Sequence, residues 1–250
     1  MKAVLILGSA PDALRARELD MSAFMAIAAL NNAWKIRPDW THCVYPEDFP
    51  PERRPQAKPG KTLVEYDQFV PANNAYGGVV YAGGTMAFTA GYWALDAFKP
   101  ALLVFLGCDM VYDSGAEKTH FYGQGEADPL RKDPTLQSLE AKSSRLRWKA
   151  YEQGCLCANL SNKDVSRLTF DRLDEDLLTQ GLNDYVGVGL ANLAALMDRK
   201  QIDAAMDLEY RSGCYYENGD YWNAPTPPDA SKLAQIDQIW LNAFRPAAAA

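Results

Sequence analysis

The run Ala3-Val4-Leu5-Ile6-Leu7-Gly8-Ser9-Ala10-Pro11 decides how the rest of the chain is read. Its apolar residues stop at a glycine after the length of a strand. A secretory signal would need a longer apolar region and a small-residue cleavage site, so the run reads as a buried strand. Pro11 suits the first turn of a helix, where a missing N–H costs nothing, and a helix is predicted to run on toward Glu18. Gly8 lets the backbone turn sharply and approach a ligand closely. The helix start behind it offers free N–H groups and the positive end of a dipole to an anion, and Ser9 adds a hydroxyl donor. The alternative is a plain strand-to-helix turn.

Units of the same kind recur downstream. Phe24–Leu30, ending in Asn31-Asn32, and Thr41–Tyr45, closing on Pro46-Glu47-Asp48, read as strands. Phe49–Gly60 is proline-rich and charged and reads as an exposed connection, followed by a short strand over Leu63–Tyr66. Gly77-Gly78 leads into Val79-Val80-Tyr81, and Gly83-Gly84-Thr85 opens a helix predicted over Met86–Phe98 and stopped by Pro100. Leu102–Leu106 is the most strand-like run and ends in Gly107-Cys108-Asp109. A polar loop over Asp113–Pro134, a helix over Leu136–Gln153 and a strand over Cys155–Ala158 ending at Asn159 complete the pattern. Strands alternating with helices predict an α/β fold, a Rossmann-like and mainly parallel sheet with helices on both faces, over residues 1–168.

Past Leu160 the character changes. Leu177–Met206 is helical in pattern despite Gly187 and Gly189. Asn218-Gly219 within Cys214–Trp222 signals a hairpin. Leu233, Ile236 and Trp240 recur at helical spacing in a last helix that Pro246 ends. Residues 169–246 are expected to form a mostly helical C-terminal extension packed on the sheet domain, with enough apolar residues for a homo-oligomer interface.

Composition narrows the function classes. The 250 residues, 48% of them hydrophobic, allow one large α/β domain with an appendage. Lys plus Arg is 25 and Asp plus Glu 32, a net charge of −7 that disfavours nucleic acid and anionic membranes as partners. No stretch approaches the roughly 18 apolar residues of a membrane span. The five cysteines, an odd number sitting mostly inside apolar runs, point with the lack of a signal peptide to a reducing, cytoplasmic location. Cys155 and Cys157 share one strand face, but two thiols alone make no zinc site, and no metal centre is expected.

In open parallel sheets ligands bind beyond the carboxyl ends of the strands. The residues there are Gly8-Ser9, Asn31-Asn32, Glu47-Asp48, Gly83-Gly84-Thr85, Asp109 and Asn159-Leu160-Ser161. Each can be a turn former alone; what counts is their recurrence at one end of the sheet. Gly8–Ala13 is not the G-x-G-x-x-G of a dinucleotide fold, and Gly83-Gly84-Thr85 lacks the P-loop pattern.

Of the two histidines, His42 lies in a strand pattern and suits a core or edge position, while His120 sits in the polar loop Lys118-Thr119-His120-Phe121-Tyr122-Gly123. An imidazole titrates near neutrality and can take a proton from an attacking hydroxyl; otherwise His120 is an ordinary surface histidine. No partner completes a hydrolase triad. Tyr112 and Tyr122 flank the loop and either donate to a departing phosphate or serve as packing aromatics. Asp109 can hold a metal through a bridging phosphate, or hydrogen-bond a ribose or base. Asp174-Glu175-Asp176 reads as a solvated face.

The order of these motifs resembles the family 42 sialyltransferases, bacterial enzymes that transfer sialic acid from CMP-sialic acid. It is also similar to the related domain of motility accessory factors and archaeal hydroxymethylpterin diphosphokinases. Gly8 and Pro11 match the family's G-x-G-P-S-L loop, with Ala10 and Asp12 standing where the family has glycine and serine. Asn31 or Asn32 matches the asparagine after the second strand, and Gly83-Gly84-Thr85 a T-S-G type helix start. Gly107-Cys108-Asp109 with Tyr112 matches G-x-D and its following aromatic, and Thr119–Gly123 the S-H-Y-x-G segment. Cys155–Ser161 matches a closing strand that ends in asparagine. The likeness covers roughly residues 1–168. It implies that His120 is the general base, Tyr112 a phosphate ligand, and that the site residues Gly8, Ser9, Ala10, Asn31, Asn32, Gly83, Gly84, Thr85, Asp109, Asn159 and Ser161 surround the nucleotide.

The leading expectation is a glycosyltransferase-like enzyme that takes a nucleotide-sugar as substrate, has no tightly bound cofactor and uses His120 as base. The alternatives are a diphosphate transferase with Mg²⁺ held by Asp109 and Glu47 or Asp48, and a nucleotide-binding protein without catalysis.

Overall fold

The computed structural model describes residues 1–112, 119–123 and 132–244. In chain order these form β1 (Ala3–Leu7), β2 (Ala26–Leu30), β3 (His42–Val44), β4 (Thr62–Val64), α1 (Tyr66–Asn74), α2 (Val79–Ala82), α3 (Met86–Phe98) and β5 (Leu102–Leu106). Then come α4 (Leu139–Tyr151), β6 (Leu156–Asn159), β7 (Asp171–Arg172), α5 (Leu177–Gln180), α6 (Asn183–Leu196), α7 (Arg199–Ser212) and α8 (Ala230–Asn242). The seven strands make one parallel sheet in the order β4-β3-β2-β1-β5-β6-β7. The α/β, Rossmann-like reading holds.

The inner strands are apolar throughout because both faces are covered. Val4 and Ile6 face Phe88, Tyr92 and Leu95 of α3 and Leu146 of α4. Ala3, Leu5 and Leu7 face Ala13, Ala16, Ile36, Trp40 and Val186 of α6. The segments between β1 and β3 thus lie on one face and α3 and α4 on the other. Right-handed crossovers impose this division where the strand order reverses at β1.

The first connection differs from expectation. Pro11–Arg17 is a 3-10 helix, not an α-helix. Its three-residue repeat puts Ala13 and Ala16 on the same side, against the sheet. The helix predicted from Leu136 starts at Leu139, where the Ser138 hydroxyl caps the Ala141 amide at 3.2 Å. Most of the loop predicted over Asp113–Pro134, and the Pro246 stop, lie outside the described residues.

Two C-terminal expectations are corrected. Leu177–Met206 is three helices, broken at Gly181, whose φ is 119°, and at Asp198, whose carboxylate caps the Lys200 and Gln201 amides. Cys214–Trp222 is not a hairpin. Asn218-Gly219 does turn the chain, with the Asn218 side chain accepting from the Asp220 amide at 3.1 Å, but no strands flank it. Its residues anchor one by one on other elements instead: the Cys214 amide donates to the Tyr81 hydroxyl at 2.9 Å. The sheet also continues past residue 168, through β7 pairing with β6.

Helices α7 and α8 form a third layer over α4. Ile202, Ala205, Leu233, Ile236 and Trp240 pack there against Ala141, Trp148 and Tyr81. This layer buries cations that a solvated helix would leave in water. Arg145 makes a bidentate pair with Glu209, both contacts at 2.8 Å, and donates to the Tyr92 hydroxyl at 2.8 Å. Trp240 donates to the same Glu209 at 2.7 Å, and Lys142 pairs with Asp237 at 2.8 Å. No helix among the described residues is long and apolar enough to cross a membrane.

Candidate functional site

The strand order reverses between β1 and β5, and their carboxyl ends meet there. The Gly8 amide donates to the Leu106 carbonyl at 2.8 Å and the Ala10 amide to the Gly107 carbonyl at 3.1 Å. A Cβ on Gly8 would sit 2.2 Å from the Gly107 oxygen, and one on Gly107 2.5 Å from the Ala13 Cβ. Gly8 is therefore required first by the crowding of two chain turns, where the sequence suggests a sharp turn together with close approach to a ligand.

A cavity of about 240 Å³ opens over this junction. Gly8, Ser9, Asn31, Asn32, Thr85, Tyr112, His120 and Tyr122 all line it. Ala10, Gly83, Gly84, Asp109, Asn159 and Ser161 are not among its lining residues. Of these, Gly83, Asp109, Asn159 and Ser161 are buried. The Thr135 hydroxyl accepts from the Gly84 amide at 3.1 Å, and a Cβ on Gly83 would lie 2.9 Å from Cγ of Lys142. The Asn159 amide group donates to Asp109 at 3.1 Å and to the Ser166 hydroxyl at 3.0 Å, and its oxygen accepts from the Ser161 amide at 3.0 Å. These residues hold the ends of β5 and β6 in place.

Several features of the lining suit a polar ligand. Asn31 adopts a left-handed φ of 49° and Met110 one of 54°, and both border the cavity. Such backbone in non-glycine residues is strained and collects at functional sites. The side-chain oxygens of Asn31 and Asn32 are buried without a hydrogen-bond partner, an arrangement that awaits a donor. Thr85 caps α3 by accepting from the Phe88 amide at 3.3 Å, so the helix start at Met86 and Ala87 faces the cavity.

His120 lies in a tight turn closed by two backbone hydrogen bonds with Gly123, at 3.0 and 3.1 Å. The Phe121 amide donates to the Ser9 carbonyl at 2.9 Å and ties this turn to the first loop. His120 is 8% exposed, and its imidazole stacks on Tyr122 with centroids 5.0 Å apart and has Tyr112 at 6.1 Å. Its Nδ1 is 2.9 Å from the Thr119 hydroxyl. Burial pushes its pKa below the usual histidine value, which keeps the ring neutral at neutral pH. The other histidine, His42, packs on Trp93 and Phe98 at the far side of β3, and burial lowers its pKa as well.

Sequence reasoning missed Arg53, Phe49 and Pro50, which form the outer wall with Asp48. They fall in the stretch that reads as a plain exposed connection. Their position directly after β3, at the ligand end of a parallel strand, is the signal that could have found them. Among the described residues no group of three or more His, Cys, Asp or Glu side chains is arranged to hold a metal. All five cysteines are free and buried, and burial raises the Cys43 and Cys155 thiols to about 12.

Fold and site together define an α/β protein with a polar cavity at the switch point of a Rossmann-like parallel sheet. Comparison with protein-family models, curated proteins and solved structures gives no match for this chain.

Proposed function

We propose that the cavity binds the nucleotide part of a nucleotide-sugar and that the protein transfers the sugar to an acceptor hydroxyl. The observation that carries this reading is the placement of a buried, neutral histidine between two tyrosines on a cavity that also presents unpartnered asparagine oxygens. With Nδ1 beside the Thr119 hydroxyl, Nε2 is the nitrogen left to take the acceptor's proton. The acceptor oxygen then bonds to the anomeric carbon as the bond to phosphate breaks, and the electron pair leaves with the phosphate. The start of α3 and the tyrosine hydroxyls stabilise that charge. Attack in line inverts the sugar centre. The cavity is smaller than the roughly 300–1,000 Å³ of typical ligand pockets, so it would enclose the nucleotide and leave the sugar toward the opening.

The test is a thermal-shift panel of CMP, CDP, UDP, GDP and ATP with and without Mg²⁺, since a ligand that binds only the folded state raises its melting temperature. A shift with CMP or CDP that needs no metal supports the glycosyltransferase reading. A shift only with ATP and Mg²⁺ favours a diphosphate transferase, for which Asp48 is the carboxylate among the lining residues. No shift with any nucleotide overturns both. A nucleotide shift with no turnover of any donor leaves a binding protein using the same pocket.

A further inference from the structure

A second and larger cavity, about 610 Å³, lies on the other side of the segment that walls the first. Arg53 borders the first cavity, while its neighbours Glu52 and Arg54 border the second. On a chain of net charge −7 this pocket is cationic: Lys35, Arg37, Arg54, Lys58 and Lys61 line it against the single acid Glu52. Asp39 neutralises Arg37 through a close pair, at 2.5 Å, and also lies within reach of the Lys61 charge. Five lining cations then have Glu52 in the lining and Asp39 beside it, an excess of three positive charges.

Two of these charges are held in position by indoles. The Lys35 ammonium lies 5.4 Å from the Trp34 ring centre and the Lys61 ammonium 4.8 Å from that of Trp40. The Trp34 indole is itself fixed by donating to the Arg53 carbonyl at 3.0 Å. Lys61 donates to the carbonyls of Pro38 and Trp40, contacts that orient its charge without neutralising it. Arg54 is held the same way by the Phe49 and Glu47 carbonyls, at 2.9 and 2.8 Å. Among the described residues neither Lys35 nor Lys58 has a carboxylate partner. Like charges gathered and oriented around one concavity repel each other and cost stability, and a bound polyanion removes that cost. A cavity of about 610 Å³ is of a size that suits a small ligand.

We propose that this second cavity is a binding site for a small ligand carrying two or more phosphate groups, separate from the switch-point cavity. The ammonium groups of Lys35, Lys58 and Lys61 and the guanidinium of Arg54 hold the phosphate oxygens. The test is calorimetric titration of the full chain at low salt with inorganic tripolyphosphate and, separately, with fructose 1,6-bisphosphate. These two probes separate a free oligophosphate from a phosphorylated sugar. Binding of at least one is expected, weakening as salt rises. Lys35 and Lys58 are exposed, so the double variant Lys35→Ala/Lys58→Ala melts no lower than the parent and is expected to bind about tenfold more weakly. Added CMP leaves the parent's affinity unchanged. The proposal is overturned by no binding of either probe up to roughly 1 mM, by equal affinity in the double variant, or by competition with CMP.

Discussion

The Phe121 amide donates to the Ser9 carbonyl at 2.9 Å, which fastens the turn of His120 to the loop that follows β1. His120 and the Gly8-Ser9 loop therefore share one backbone frame. On the proposed chemistry, His120→Ala is expected to lower turnover by about 100- to 10,000-fold while CMP affinity changes little. Steady-state rates and a CMP titration on the same preparation check this. An unchanged rate removes His120 from the chemistry.

Acid should weaken the fold through its histidines. Burial holds His120 and His42 below the usual value of 6.5 in the folded state. Between that lowered value and 6.5 the unfolded chain binds more protons, so stability falls as pH drops through the window below 6.5 and is untouched above it. Urea denaturation at pH 7.5 and pH 5 measures the loss. The double variant His42→Gln/His120→Gln should lose less than the parent, because carboxylates contribute equally to both.

Gly8 and Gly187 should respond in opposite directions to alanine. A methyl on Gly8 meets the Gly107 oxygen at 2.2 Å, and both atoms sit at the ends of central strands that cannot separate cheaply. Gly8→Ala is expected to cost about 1–3 kcal/mol or more. Gly187 lies in α6, and an alanine methyl there would meet nothing within 4 Å, so Gly187→Ala should stabilise by about 0.5–1 kcal/mol. Thermal melting of the two variants decides both.

Glu209 should be costly to remove alone. Glu209→Ala leaves the Arg145 guanidinium buried without its carboxylate and is expected to cost about 3–5 kcal/mol in denaturant titration. Replacing both by apolar residues, Arg145→Met with Glu209→Leu, should recover only part of that loss, because the buried Trp240 indole N–H still lacks its acceptor.

The sheet is legible in the sequence where burial alone sets the pattern. Ala3–Leu7 and Leu102–Leu106 are continuous apolar runs between glycine and polar residues, and Met86–Phe98 has a clear cap and stop, so sequence and structure agree on their limits. Local signals fail where long-range packing decides. Asp171-Arg172 is two polar residues, and only pairing with β6 makes it a strand. Asn218-Gly219 turns the chain, yet Tyr81 and not a neighbouring strand takes its flank. Of the site, Gly8, Asn31, Thr85 and His120 converge on one cavity because parallel strands present all their carboxyl ends together. The same rule does not tell lining from support. Asp109 and Asn159 fit a ligand site by position in the sequence, yet they are buried and bond to each other.

The Arg145–Glu209 and Lys142–Asp237 pairs span 64 and 95 residues of chain. At about 5–20 residues per second, the ribosome makes those two cations roughly 5–20 seconds before the last of their partners. Until then the Lys142 ammonium on α4 lacks its carboxylate, although Arg145 already has Glu209. Charge pairing across the third layer is thus complete only once the final helix has been made.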